Sequence, residues 1–276
     1  MFLLLPALDR AWLDIVCPDV KLSLHSAKTN VPHQMRMHKR RLFMTAETTM
    51  NPKQRVAVHA ANLVEPDMIV GLGTGSTANL FIEALAKRHR EENLNVTTVS
   101  SSAISAIKAK EAGLPVVSID SLNELDLYVD GADEVTPDLT LLKGRGQDLV
   151  REKLLATAAD QFYVMVDESK LVEFIGEKLP IPVEVMPDAW KLVFNQLKQQ
   201  GGHGELRLNA SGDNVAVTAH GCLVLDMSFD HVDSLELTMI LDTIPGIVEH
   251  GIFSELATAV FIGGETEVEE HWSQEQ

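Results

Sequence analysis

The chain beyond residue 50 predicts an α/β protein built on a parallel sheet. Three observations carry that prediction. Short apolar or β-rich runs alternate with stretches of helical period; some of the runs, Met68 to Val70 and Ala259 to Ile262 among them, are apolar throughout, as strands buried on both faces are; and glycine-rich or polar turns follow several of them. Pro52 opens the first helix, because a first-turn proline loses no hydrogen bond there, and Val56, Ala60 and Leu63 share one face. Met68-Ile69-Val70 reads as a buried strand, and Ser76 to Lys87 resumes helical spacing through Leu80, Phe81, Ala84 and Leu85. Val96 to Val99 is a strand and Ala103 to Ala112 a helix; Val116 to Ile119 and Leu125 to Val129 are strands. A helix over Gln147 to Ala159 and a strand over Phe162 to Val166 follow.

After Pro180 the rhythm changes. Pro182 to Val185, Glu205 to Leu208, Val215 to Val217 and Leu223 to Leu225 are short strands, with helices over Ala189 to Gln199 and Val232 to Leu241. Gly201-Gly202 ends the first of these helices. This mixture reads as a small α+β unit. Ala259 to Ile262 is a final apolar strand that rejoins the main sheet, and Glu265 to Gln276 is a solvated acidic tail. The expected division is therefore 51–180 with about 255–264 as the parallel-sheet domain, and about 181–254 as the α+β domain.

Composition narrows the function. The 276 residues are 45% hydrophobic and carry a net charge of −17. Such an acidic chain is a poor non-specific partner for nucleic acid or an anionic membrane, both of which attract basic surface. No apolar run approaches the roughly 20 residues that cross a bilayer. Cys17 and Cys222 are the only cysteines, so neither a disulfide framework nor a four-cysteine zinc site can be built, and a reducing, cytoplasmic location is expected. Residues 1–50 depart from the rest, with a charge of +3 against −20 for the remainder, and Pro6, Pro18 and Pro32 interrupt them. Lys21 to Met44 holds no acid, as in a transit peptide, but the segment is read as an unstructured extension, with Met44 or Met50 as an alternative start.

Four polar motifs follow strands. Gly71-Leu72-Gly73-Thr74-Gly75-Ser76-Thr77 lacks the final glycine of the dinucleotide fingerprint and the lysine of a Walker loop. It offers either a hydroxyl-lined cup for a monophosphate at a helix start or a turn with Ser76 or Thr77 capping the helix. Asp130-Gly131-Ala132-Asp133-Glu134 can bind hydroxyls, move protons or stand as a solvated turn; a metal ranks last because no histidine cluster lies nearby. In Lys143-Gly144-Arg145-Gly146 and the helix after it, Leu149 and Ala156 place Glu152 on the inward side, where burial would raise its pKa toward that of a useful base. The alternative is a surface cluster with Arg151 and Lys153. Asp167-Glu168-Ser169-Lys170 adds a lysine at the same sheet edge. His59 reads as a helix-surface residue, and Gly201 to Gly204 around His203 as a turn. A parallel sheet gathers all four motifs on one rim, an inventory suited to proton transfer beside the carbonyl of a small phosphorylated sugar.

Over residues 51–264 the sequence closely resembles type A ribose-5-phosphate isomerases. The resemblance rests on Gly71 to Ala78, Ser100-Ser101-Ser102, Tyr128 to Glu134, Lys143-Gly144, Arg151-Glu152-Lys153, Ser169-Lys170 and Pro182-Val183-Glu184-Val185. It implies a Rossmann-like domain with a ferredoxin-like α+β domain, and interconversion of ribose 5-phosphate and ribulose 5-phosphate in the pentose phosphate pathway. It also implies no metal or organic cofactor, and a homodimer or dimer of dimers. By resemblance Glu152 is the proton carrier and Lys143 steadies the oxyanion, while Asp130 and Asp133 hold hydroxyls and assist ring opening. Thr74, Gly75, Ser76 and Thr77, with Gly131, Ala132, Gly144, Arg145, Gly146 and Lys170, line the substrate site, and Lys53 assists with phosphate. Arg145 stands where many members have glycine, and its guanidinium is expected to point to solvent. The competing readings are a non-catalytic sugar-phosphate sensor, which would not need both Lys143 and Glu152, and coenzyme A transfer with a nucleophilic glutamate.

Overall fold

The computed structural model describes residues 50–230 and 233–273. Apart from Met50, the N-terminal extension, its start sites and Cys17 lie outside the described residues. Helix α1 (Pro52–Asn62) is fixed at its start by a reciprocal pair: the Asn51 side chain accepts the Gln54 N–H, and the Gln54 side chain accepts the Asn51 N–H. Then come β1 (Ile69–Leu72), α2 (Ser76–Glu91), β2 (Thr97–Ser100), α3 (Ala103–Glu111) and β3 (Leu125–Gly131). The short strands β4 (Glu134–Val135) and β5 (Leu141–Leu142) lead into α4 (Leu149–Ala158) and β6 (Ala159–Asp167). The remainder is β7 (Ile181–Val185), α5 (Trp190–Gln199), β8 (His203–Leu206), β9 (Leu223–Ser228), α6 (Ser234–Thr243), β10 (Ile247–His250), β11 (Ile252–Phe253), β12 (Ala259–Gly263) and β13 (Val268–Trp272).

The six-stranded main sheet runs β13-β12-β6-β3-β1-β2, parallel except for β13. Its two faces are covered by different helices, as strand alternation requires. Leu127 and Val129 of β3 face α1 and α2, meeting Val56, Ala60, Phe81 and Leu85; Tyr128 faces the other way, toward Leu149 and Leu155 of α4. Tyr128 stacks on Phe162 with ring centroids 4.9 Å apart. A four-stranded antiparallel sheet, β10-β7-β9-β8, buries Val183, Val185, Leu225 and Met227 with Val193 and Leu197 of α5 and Leu237 and Leu241 of α6. A three-stranded sheet, β11-β5-β4, joins this core to the site, since Leu142 and Ile252 belong to it.

Several expected elements change. Val116 to Ile119 is not a strand: Val116 makes a single bridge to Thr98 on the outer edge of β2, and Ile119–Ser121 turns into a 3₁₀ helix. Val215 to Val217 forms only isolated bridges, to Leu208 and Leu223. Gly201 and Gly202 do turn, but His203 begins a strand, because β9 offers it a partner. The acidic tail is the largest correction: 268–272 pairs antiparallel with β12, setting Trp272 against Tyr163 and Phe261. Among the described residues no helix is long and apolar enough to cross a membrane.

Candidate active site

The carboxyl ends of β1 and β3 lie side by side, and their backbones build the floor of the site. Gly73 N–H donates to Val129 O at 2.9 Å, and Thr74 N–H to Asp130 Oδ1 at 3.0 Å. A Cβ on Gly73 would come 2.0 Å from Asp130 Oδ1, so only glycine lets these strand ends approach. Gly75, at φ +114°, is the N-cap of α2 and supplies no side-chain cap. The Ser76 and Thr77 hydroxyls therefore do not cap the helix, and its first N–H groups remain available to an anion.

Asp130 is completely buried. Its Oδ1 accepts from Thr74 N and Gly131 N, and its Oδ2 from the Tyr128 hydroxyl at 2.6 Å and Lys143 Nζ at 2.7 Å. Lys143 also donates to Gly131 O at 2.7 Å, its backbone N–H donates to Gly251 O, and its ammonium lies 5.6 Å from the centre of the Phe253 ring. Glu152, in the first turn of α4, is 4% exposed. Its Oε2 lies 3.4 Å from Lys143 Nζ yet accepts no hydrogen bond from any described residue.

A cavity of about 190 Å³ opens onto this pair. Its lining includes every site residue expected from the sequence except Asp130: Lys53, Thr74, Gly75, Ser76, Thr77, Gly131, Ala132, Asp133, Lys143, Gly144, Arg145, Gly146, Glu152 and Lys170. Sequence reasoning grouped Asp130 with Asp133 as a carboxylate for hydroxyls. In the structure its four protein donors engage both oxygens, so it anchors Lys143 from beneath, while Asp133 stands at the wall. Thr74 keeps its place in the lining, and its hydroxyl donates to Ser102 Oγ at 2.7 Å. Glu134 turns away to accept the N–H groups of Gly176, Lys178 and Leu179. Arg145 is exposed at the rim.

Proteins of this shape and sequence are known. A family model for ribose 5-phosphate isomerase A (phosphoriboisomerase A) matches residues 97–267. Ribose-5-phosphate isomerase A of Thermococcus kodakarensis is 45% identical over 213 residues, covering 76% of this chain and 93% of the relative. That of Thermosynechococcus vestitus is 42% identical over 222 residues, 80% of this chain and 94% of its own. The chain belongs to the ribose 5-phosphate isomerase A family. Among solved members, the enzyme of Methanocaldococcus jannaschii superposes with a TM-score of 0.77 at 39% identity, covering 80% of this chain and 98% of that one. A D-ribose-5-phosphate isomerase in complex with phospho-erythronic acid gives 0.78 at 37% identity, covering 81% and 100%.

The electrostatics of this isomerase-family site follow from burial. Desolvation pushes the Glu152 carboxyl up to about 7, against the attraction of Lys143 and with added repulsion from Asp130. Burial opposes the charge on Lys143, but Asp130 and Glu152 hold it above the ordinary lysine range. Burial, then Asp130, raises the Tyr128 hydroxyl, which stays a donor. A carboxylate poised near neutrality beside a fixed ammonium can take up and return a proton next to a developing oxyanion. Among the described residues no three His, Cys, Asp or Glu side chains gather as metal ligands. Sequence reasoning missed Tyr128 as a donor to Asp130, and Gly251 and Phe253 as supports of Lys143. Only the alternation of β3 hinted at Tyr128, by placing it two residues before Asp130.

Proposed function

We propose that the chain interconverts D-ribose 5-phosphate and D-ribulose 5-phosphate through a cis-enediolate. The observation that carries this is the buried Glu152 Oε2, without a hydrogen-bond donor, at the cavity 3.4 Å from Lys143 Nζ. The phosphate sits against the start of α2, with Ser76, Thr77, Lys53 and Lys170. Three or four charge-assisted hydrogen bonds of about 1.5 kcal/mol each correspond to millimolar or tighter binding. Asp133 holds a substrate hydroxyl and assists ring opening. In the open aldose, Glu152 removes the C2 proton, and the C2–H electron pair becomes the C1–C2 double bond of the enediolate. The carbonyl electrons pass to O1, where Lys143 steadies the charge. Glu152 returns its proton to C1 and the O2 proton moves to O1, leaving the ketose. The sum is an isomerisation without net oxidation, so the scheme calls for no redox cofactor, and Lys143 supplies the positive charge at the oxyanion.

The same reading assigns the chain to the non-oxidative pentose phosphate pathway, in the cytoplasm, as a homodimer or homotetramer. It also treats 51–180 with about 255–264 as a Rossmann-like catalytic domain and about 181–254 as a small ferredoxin-like domain. The test is Glu152→Gln, which removes the base and keeps the shape. It is expected to stay folded and bind sugar phosphate while losing about 10²–10⁴ in turnover. Turnover near that of the unaltered chain would end the assignment of this base.

A further inference from the structure

We infer that Arg207, in the small antiparallel unit, is a positioning residue that sets the peptide orientation of the substrate loop Lys143-Gly144-Arg145-Gly146. The inference rests on the function proposed above and adds a residue to its machinery.

Arg207 follows β8 and is held by its own backbone, its N–H donating to Val224 O and its carbonyl accepting from Ala216 N. Its guanidinium forks onto Asp226 of β9, Nε to Oδ2 at 2.8 Å and Nη2 to Oδ1 at 2.5 Å. That two-point contact fixes the plane of the group, as a lysine could not. The remaining nitrogen, Nη1, donates to Gly144 O at 2.9 Å. Arg207 and Asp226 side chains are only 13% and 21% exposed.

The accepting carbonyl belongs to the Gly144–Arg145 peptide. In a trans peptide the N–H points opposite to the C=O. The N–H of this peptide, on Arg145, faces Asp133 Oδ2 at 3.4 Å. A hydrogen-bonded line therefore runs from Asp226 through Arg207 and one peptide group to the carboxylate at the cavity wall. The peptide needs such a hold. Gly144 has φ +101°, and a Cβ there would come 2.1 Å from Leu149 Cδ2, so the position stays glycine and gains no stiffness from a side chain. A reversed peptide would aim its carbonyl oxygen at Asp133, adding repulsion where the present orientation offers a donor.

Three variants test this with ribose 5-phosphate as the probe. Arg207→Ala and Arg207→Lys should each lower kcat by about 10- to 100-fold, the loss that small misplacements near reacting groups produce, while KM stays within about threefold. Guanidinium chloride at non-denaturing concentration should restore part of the kcat of Arg207→Ala. Asp226→Asn, which keeps the guanidinium but removes its charged anchor, should lower kcat by a smaller factor and provides the answer if Arg207→Ala does not fold. The inference is overturned if a folded Arg207 variant turns over within about twofold of the unaltered chain. It is equally overturned if kcat falls only together with the thermal midpoint and guanidinium restores neither. Failure of the unaltered chain to isomerise ribose 5-phosphate would instead overturn the functional reading beneath it.

Discussion

Glu152 shows how one side chain acquires its chemistry from position alone. Leu149 and Ala156, three residues before and four after it, turn its face of α4 inward and strip water from the carboxylate. Burial outweighs the attraction of Lys143 and leaves the group near 7 instead of its ordinary 4.5. The folded chain thus holds this proton more tightly than the unfolded chain does. The group's contribution to stability is present below about 4.5 and is lost as pH rises toward 7, while the active carboxylate forms over the upper part of that interval. The rate profile is expected to show an acid limb with an apparent pKa of about 7. In Lys143→Gln the residual activity should show that limb displaced to higher pH, because the attraction favouring the carboxylate is gone. An unmoved limb in the pH dependence of kcat/KM would mean that another group titrates.

At the scale of elements, the site is a set of strand ends made to touch. The β1–α2 turn and the end of β3 approach as closely as backbones do, which Gly73 permits and a methyl group would forbid. Gly73→Ala should drive Asp130 off its donors, release Lys143 and reduce kcat by at least about 10²-fold. Gly131→Ala is the contrasting case, since its Cβ would meet Met165 O at an ordinary 3.6 Å. It should leave the strand ends packed and the thermal midpoint unmoved, whereas Gly73→Ala should lower that midpoint, and melting curves on the two variants separate the cases. Elements of this kind were readable in the sequence: α1, α2, β3, α4 and β6 each declare themselves by period, proline or glycine within a few residues. Elements held only by a neighbour were not. Val116 to Ile119 has strand-like residues but finds one rung on β2, whereas Glu134–Val135 and Leu141–Leu142 are too short to show a period and exist because β11 and one another pair with them.

For the whole molecule, the edge of the main sheet is closed by a strand that composition disguises. In Val268 to Trp272 the residues at 268, 270 and 272 share one face, with Glu270 beside His59 at 3.0 Å and the Trp272 ring edge-on to Tyr163 and Phe261 at 5.7 and 5.8 Å. Trp272→Ala should destabilise the fold by about 2 kcal/mol, less than a core tryptophan because the residue is half exposed, and leave kcat unchanged. Chemical denaturation monitored beside activity checks both halves of that expectation. The sequence by itself determined the alternation of strands and helices, the glycine turns, the inward stripe of α4 and the set of charged residues at strand ends, because these depend on neighbours a few positions apart. Only the tertiary structure decided that Asp130 lies beneath Lys143 with every oxygen engaged, that Tyr128, Phe253 and Arg207 support the site, and that an acidic tail is a strand. Those outcomes depend on which distant backbone comes within hydrogen-bonding reach, a choice set by chain packing and absent from any local pattern.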